Sequence, residues 1–118
     1  DNKNISLIGE ELKKLSDKCR NLKIDKKELI GDSMTITSQG RIGGSFFTPI
    51  INHPEVAILG VGKSEKKQVH IGGKFVTRIM LPLSLSYDHR IIDGAEAARF
   101  NNDLKDNLGK NFAYKLAV

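Results

Sequence analysis

A short segment near the end of the chain combines the residue types that proton-transfer chemistry needs. Asp88, His89 and Arg90 follow an apolar stretch, and Asp93 stands at the N-cap of a helix that begins near Gly94. Because histidine has an ordinary pKa of about 6.5, its neutral ring accepts a proton at physiological pH. At a strand end, His89 would act as a general base, with Asp93 fixing the loop or binding Arg90. The same pattern also fits a turn histidine and a simple helix cap, so both interpretations stay open at this point.

The first third of the chain predicts two helices. Apolar residues spaced by three and four predict an α-helix of about five turns over Ile5–Leu22, with Cys19 on its apolar face as a buried thiol. A second, short helix follows, for which Asp25 and Glu28 form a capping box.

The middle of the chain predicts strands. Period-two alternation predicts a strand over 34–38, and the continuous apolar run 56–62 is typical of a strand covered on both faces. The polar stretch 63–68 is predicted as a loop. Gly72 and Gly73 then form the turn of a hairpin whose second arm runs on to about Tyr87. This order of elements predicts an α+β fold with a mixed β-sheet flanked by helices.

Composition excludes several classes of function. A length of 118 residues allows one modest domain, and the single cysteine excludes an internal disulfide framework and a multi-cysteine metal site. No apolar run reaches the ~20 residues that a membrane span needs. The net charge of +5 favours an acidic partner, but aromatic residues are few, which argues against nucleic acid. We therefore expect no metal, no membrane and no nucleic acid.

The residues 88–94, Asp-His-Arg-Ile-Ile-Asp-Gly, match the DHRxxDG signature of the 2-oxoacid dehydrogenase acyltransferases, the lipoyl-dependent core subunits of their complexes. The resemblance extends from about Ile5 to Leu108, and its surroundings look like the branch that serves pyruvate dehydrogenase complexes. The residues that carry it, besides the signature, are 42–44, 47–50, Asn52, 54–61 and 81–87. It implies a fold similar to chloramphenicol acetyltransferase, of which residues 1–118 would form the C-terminal portion of the catalytic domain.

The resemblance also implies a reaction: transfer of an acetyl group between the thiol of dihydrolipoyl-lysine and coenzyme A, with acetyl-CoA as a substrate. The incoming thiol is itself the nucleophile, so a base and a hydrogen-bond donor to the tetrahedral oxyanion suffice. By resemblance, His89 is the base and Asp93 organises the active-site loop. The hydroxyl donor corresponds to Thr37, or to Ser38 if the register differs by one residue.

The partners follow from the same resemblance. In the family, the histidine and the hydroxyl meet across a subunit boundary, which implies a homotrimer that is inactive as a monomer. Assembly into a larger core stays open, because the tail 111–118 does not clearly match the leucine-rich end of the family. The lipoyl group would arrive on lipoyl domains, which are absent from this chain together with the peripheral-subunit-binding domain and the first catalytic half. Other subunits of the complex would be further partners. The expected location is the bacterial cytoplasm, or the mitochondrial matrix in a eukaryote.

Two alternatives stay open. The chain fits a non-catalytic scaffold or core fragment of a 2-oxoacid dehydrogenase complex. It also fits an acyltransferase for succinyl or branched-chain groups, because no residue pattern in the sequence selects the acyl group.

Overall fold

A computed structural model of the chain describes residues 3–109. They form two compact units, one of residues 3–31 with 107–109 and one of residues 32–106. The elements, in chain order, are α1 (Ile5–Arg20), a 3₁₀-helix (Lys26–Leu29), β1 (Thr35–Ser38), β2 (Ala57–Val61), β3 (Glu65–Ile71), β4 (Lys74–Met80), β5 (Leu83–Tyr87) and α2 (Gly94–Asn107).

In the first unit, α1 is the amphipathic helix that the sequence predicts, ending two residues earlier. Asn4 caps it by accepting a hydrogen bond from the Leu7 amide. Its apolar face is uncovered: Ile8 is 51% exposed and Leu12 is 66% exposed. Cys19 is exposed as well, so the predicted burial of its thiol is wrong. The reason is that no residue of α1 is buried within the part of the chain described here.

The short second helix confirms the predicted capping box. The Asp25 carboxylate accepts a hydrogen bond from the backbone of the first turn, and the Glu28 side chain accepts one from the Asp25 amide at 3.2 Å. The Lys18 ammonium also contacts Glu28 at 2.6 Å, which ties the helix to α1.

The second unit is built on a three-stranded mixed sheet in the order β1-β2-β5. β1 is parallel to β2, and β5 is antiparallel to β2. The register places Thr37 of β1 beside Gly60 of β2, and Gly60 beside Ser84 of β5. The sheet confirms the predicted α+β class and its mixed pairing.

The central strand β2 is covered on both faces, as its continuous apolar sequence predicts. Ala57, Ile58 and Leu59 are buried. A groove lined in part by Ala57 and by Ala97 and Phe100 of α2 lies on one face of the sheet. On the other face, Gly60 lies against the ring of Phe47 and against Pro49. The layers are therefore α2, the sheet, and the irregular segment around Phe47.

β3 and β4 form a separate antiparallel hairpin, joined by the predicted two-residue turn. Gly72 and Gly73 have φ values of 58° and 79°, the left-handed region that this tight turn requires. The predicted loop over 63–68 is wrong from Glu65 onward, because residues 65–68 pair with residues 77–80. Nearly every side chain of the hairpin is exposed or half-buried, so its strands need no apolar alternation.

The predicted second arm of the hairpin is too long. β4 ends at Met80, and β5 is a separate strand that joins the three-stranded sheet. Pro82 stands at the break, where it has no N–H to continue a ladder and its carbonyl accepts a hydrogen bond from the Gly62 amide. Among residues 3–109, neither helix has the length and hydropathy of a membrane span.

Candidate active site

The turn that follows β5 carries the candidate base. The amides of Ile91 and Ile92 both donate to the carbonyl of Asp88, at 3.0 and 2.9 Å, which closes the turn. The Asp88 amide donates to the carbonyl of Val56 at 2.8 Å and so anchors the turn to the residue before β2. His89 is thus held at the end of a strand, as the sequence predicts.

The ring of His89 is exposed and leans on Tyr87, with 5.6 Å between the ring centroids and an angle of 37° between the ring planes. It borders an open cleft of about 400 Å³. The residues that line the cleft are Ile51, His53, Glu55, Tyr87, Asp88, His89 and Arg90. A base in this position is accessible to a substrate and oriented by the strand beneath it.

Asp88 and Arg90 form an ion pair on either side of the candidate base, His89. The guanidinium of Arg90 donates to both carboxylate oxygens of Asp88, with the shortest contact at 2.6 Å, and the Arg90 amide donates to Oδ1 at 3.0 Å. The hydrogen bonds from Arg90 hold the pKa of the Asp88 carboxyl at about 2, and the same contacts raise the pKa of Arg90. Arg90 is therefore engaged by Asp88, not by Asp93.

Asp93 caps α2, as predicted. Its Oδ1 accepts a hydrogen bond from the Glu96 amide at 2.7 Å. The cap fixes the end of the turn only four residues after His89. Gly94 follows directly, and a Cβ atom at this position would lie 4.0 Å from Nε2 of the histidine ring.

Thr37 lies in a part of the sheet away from His89. It is half-buried in β1 and aligned with Gly60 and Ser84, whereas His89 follows the far end of β5. At about 3.4 Å per residue, Ser84 and Tyr87 alone are separated by roughly 10 Å along the strand. One chain therefore does not bring Thr37 and His89 together. Ser38 points to the opposite face of β1 and is exposed.

Two residues of the cleft, His53 and Glu55, are not among the site residues predicted from the sequence. His53 reads as an ordinary turn residue beside Pro54, yet it lines the cleft with His89. Glu55 also lines it, and its Oε2 accepts a hydrogen bond from the hydroxyl of Thr35 at 2.6 Å. The only hint is that a carboxylate directly precedes a buried apolar strand, where burial of a charge is costly.

Within residues 3–109, no cluster of three or more histidine, cysteine or acidic side chains is arranged to hold a metal ion. The polar groups that line the cleft in this chain are two imidazoles, two carboxylates, the phenol of Tyr87 and the guanidinium of Arg90.

The geometry and the sequence agree with one family. Residues 1–114 match the 2-oxoacid dehydrogenases acyltransferase (catalytic domain) family, and the chain belongs to this family. The predicted family is thereby confirmed.

Two individual relatives are acetyltransferase components of pyruvate dehydrogenase complexes. The chain is 54% identical over 98 residues to the dihydrolipoyllysine-residue acetyltransferase component of the pyruvate dehydrogenase complex of Buchnera aphidicola subsp. Acyrthosiphon pisum, covering 83% of this chain and 25% of the relative. It is 51% identical over 108 residues to the component of the same name from Pseudomonas aeruginosa, covering 92% of this chain and 20% of the relative. The chain thus spans a fifth to a quarter of these relatives.

Solved structures confirm the fold. Dihydrolipoamide acetyltransferase of Azotobacter vinelandii superposes on this chain with a TM-score of 0.92 at 47% sequence identity. The match covers all of this chain and 48% of that one. That enzyme was studied for the roles of a serine, a histidine and an asparagine in its catalytic mechanism. The cubic core of a pyruvate dehydrogenase multienzyme complex gives the same values. A probable dihydrolipoamide acetyltransferase from Listeria monocytogenes gives a TM-score of 0.88 at 39% identity, covering 91% of this chain and 46% of that one.

Proposed function

We propose that the chain is part of an acyltransferase that moves an acetyl group between dihydrolipoyl-lysine and coenzyme A, as the core component of a pyruvate dehydrogenase complex. The placement of His89 at a strand end beside an open cleft supports a base at this position. The named relatives are acetyltransferases of pyruvate dehydrogenase complexes, which favours acetyl over succinyl or branched-chain groups.

The observation that carries the residue roles is a shared spacing. In the Azotobacter vinelandii enzyme, the serine stands 52 residues before the histidine, and the asparagine stands four residues after it. Counted from His89, the same separations lead to Thr37 and Asp93. A threonine in place of a serine keeps the hydroxyl donor, and an aspartate in place of an asparagine keeps a side-chain oxygen.

The proposed reaction needs no covalent enzyme intermediate. His89 takes the proton of the attacking thiol, and the sulfur forms a bond to the carbonyl carbon of the thioester. The hydroxyl of Thr37 donates a hydrogen bond to the oxyanion of the tetrahedral intermediate. When the intermediate collapses, the bond to the original sulfur breaks, and that sulfur leaves with the proton returned by the histidine.

Asp93 would act on the loop and not on the substrate. Its Oδ1 accepts the hydrogen bond from the Glu96 amide, so it fixes where the turn ends and α2 begins. This restricts the backbone of residues 88–93 and with it the direction of the imidazole. Preorganisation of this kind supports catalysis because the base needs no rearrangement as the proton moves.

The separation of Thr37 from His89 within one chain supports an active site shared between subunits. In a homotrimer, one subunit would supply the histidine and its neighbour the hydroxyl. The cubic core of the related complex supports assembly into a larger core, with lipoyl domains and other subunits as partners. Coenzyme A and the lipoyl group would then be substrates that meet at each subunit boundary.

The same separation also agrees with a second candidate, a non-catalytic core piece of the complex. Acetyl transfer from acetyl-CoA to dihydrolipoamide, measured across the fractions of a sedimentation run on the complete protein, distinguishes the two. We expect activity in trimers or larger species. Activity in a strictly monomeric fraction would contradict the shared site, and absence of both transfer and coenzyme A binding at millimolar ligand would favour the scaffold.

A further inference from the structure

Among residues 3–109, Glu55 is the only acidic residue of the cleft with a hydrogen bond to β1, the strand that carries Thr37. Its Oε2 accepts the hydroxyl hydrogen of Thr35 at 2.6 Å, in a partly buried position. Thr35 and Thr37 are both half-buried and lie two positions apart, so they share one face of β1, whereas Ile36 between them is 69% exposed. The bond to Glu55 therefore acts on the face of β1 that presents Thr37.

The residue after Glu55 is bonded to the turn of the candidate base. The carbonyl of Val56 accepts the amide hydrogen of Asp88, which directly precedes His89. Residues 55 and 56 are thus connected on one side to the strand of the hydroxyl and on the other side to the turn of the histidine. Both connections are short, at 2.6 and 2.8 Å.

The second oxygen of Glu55 is buried and has no hydrogen-bond partner among the described residues. A buried acceptor without a hydrogen-bond partner is destabilising, so an apolar residue at this position would avoid that cost. What a carboxylate contributes here is the hydrogen bond of its other oxygen, Oε2, with the hydroxyl of Thr35.

From these contacts we infer that Glu55 is a positioning residue for acyl transfer: its carboxylate holds the Thr37 face of β1 in a fixed relation to the turn of His89. This inference rests on the proposed function. In the proposed trimer, Thr37 and His89 of one chain serve two different active sites. Glu55 would then align the oxyanion donor of one site with the base of the next.

The experiment uses the complete protein and two readouts, steady-state acetyl transfer and hydrogen exchange at the Thr37 amide. E55A and T35V each remove the bond, and we expect about a tenfold lower kcat with KM within twofold, together with faster exchange at Thr37. The double variant should be no worse than E55A, because both changes break one contact. The conservative variants E55Q and T35S keep an acceptor and a hydroxyl, and we expect both to stay within threefold of the wild type.

A matched control exists in the same unit. The hydroxyl of Ser45 donates to Glu65 at 2.7 Å in an equally partly buried position away from the cleft. E65A should therefore leave kcat and exchange at Thr37 unchanged.

Several outcomes would overturn the inference: E55A within twofold of wild-type kcat, E55Q as impaired as E55A, losses in E55A and T35V that multiply, or exchange at Thr37 unaltered by E55A. If the wild-type protein transfers no acetyl group, the proposed function fails. The exchange data then decide on their own whether Glu55 holds β1.

Discussion

The side chains of Asp88 and Arg90 close on each other across the residue between them, His89, with 2.6 Å between Nη2 and Oδ2. The pair leaves the imidazole exposed while it restrains the backbone on both sides of it. Because the carboxylate is engaged in this way, the pKa of Asp88 is lowered from 3.8 to about 2.

The pH dependence of this pair follows from the direction of the shift. The folded pKa of Asp88 lies below its unfolded value, so the contribution of the pair to stability is fully present above about pH 4 and is lost as the pH falls towards 2. Arg90→Gln should raise the pKa of Asp88 towards its ordinary value, as measured by NMR titration of the carboxyl. A carboxyl that still titrates near 2 in this variant would show that Arg90 is not the cause.

Replacement of the candidate base tests the core of the proposal. His89→Ala should lower the rate of acetyl transfer by roughly 10²–10⁴-fold, since the attacking thiol loses its proton acceptor. His70→Ala is the matched control, because His70 lies on the hairpin against Phe75 and outside the cleft. Full turnover in the His89 variant would remove it from the mechanism.

The hydroxyl donor is tested by a change that preserves shape. Thr37→Val should lower kcat by about 10²–10³-fold, the cost of removing one oxyanion donor. Ser38→Ala should retain activity, because Ser38 points to the other face of β1. The reverse pattern would assign the donor to Ser38.

The shared active site is tested by mixing two inactive proteins. In trimers reassembled from His89→Ala and Thr37→Val subunits, some boundaries combine an intact histidine from one subunit with an intact threonine from its neighbour. We expect acetyl transfer to reappear after mixing and subunit exchange, at a level well above either parent. No recovery in trimers shown by mass spectrometry to contain both subunits would place the two residues of a site in one chain.

Packing around β2 gives a prediction for stability. A methyl group on Gly62 would lie 2.7 Å from the carbonyl oxygen of Ser45, which is backbone and cannot swing away. We expect Gly62→Ala to destabilise the fold by about 1–3 kcal/mol in denaturant unfolding. Gly9→Ala is the control: nothing lies within 4 Å of that position in α1, and alanine favours a helix by about 0.5–1 kcal/mol. Equal effects at both positions would contradict the packing argument.

Patterns set by local physics were predictable from the sequence. The continuous apolar run gives a strand buried on both faces, and the glycine pair gives the hairpin turn, because each depends on residues that are adjacent in the chain. The cap at Asp93 follows for the same reason. The strand over 65–68 was not predictable in this way. An exposed hairpin strand is defined by pairing with its partner strand, so its sequence shows no apolar alternation.

Features that depend on distant segments were not predictable. The amphipathic spacing of α1 identifies an apolar face but does not supply the layer that would bury Cys19. Glu55 and His53 enter the cleft only because the chain before β2 folds against the turn after β5. The roles proposed for His89, Asp93 and Thr37 came from the resemblance to the family, and periodicity alone does not distinguish these residues from ordinary turn and strand residues.

The hydrogen bond by which Asp93 caps α2 does not depend on the charge of its side chain. The Glu96 amide requires only an oxygen, which asparagine offers as well as aspartate does. A change between the two would add or remove a full negative charge four residues from the base while the helix start stays the same. A substitution between aspartate and asparagine at position 93 would therefore change the charge near His89 and leave the fold as it is.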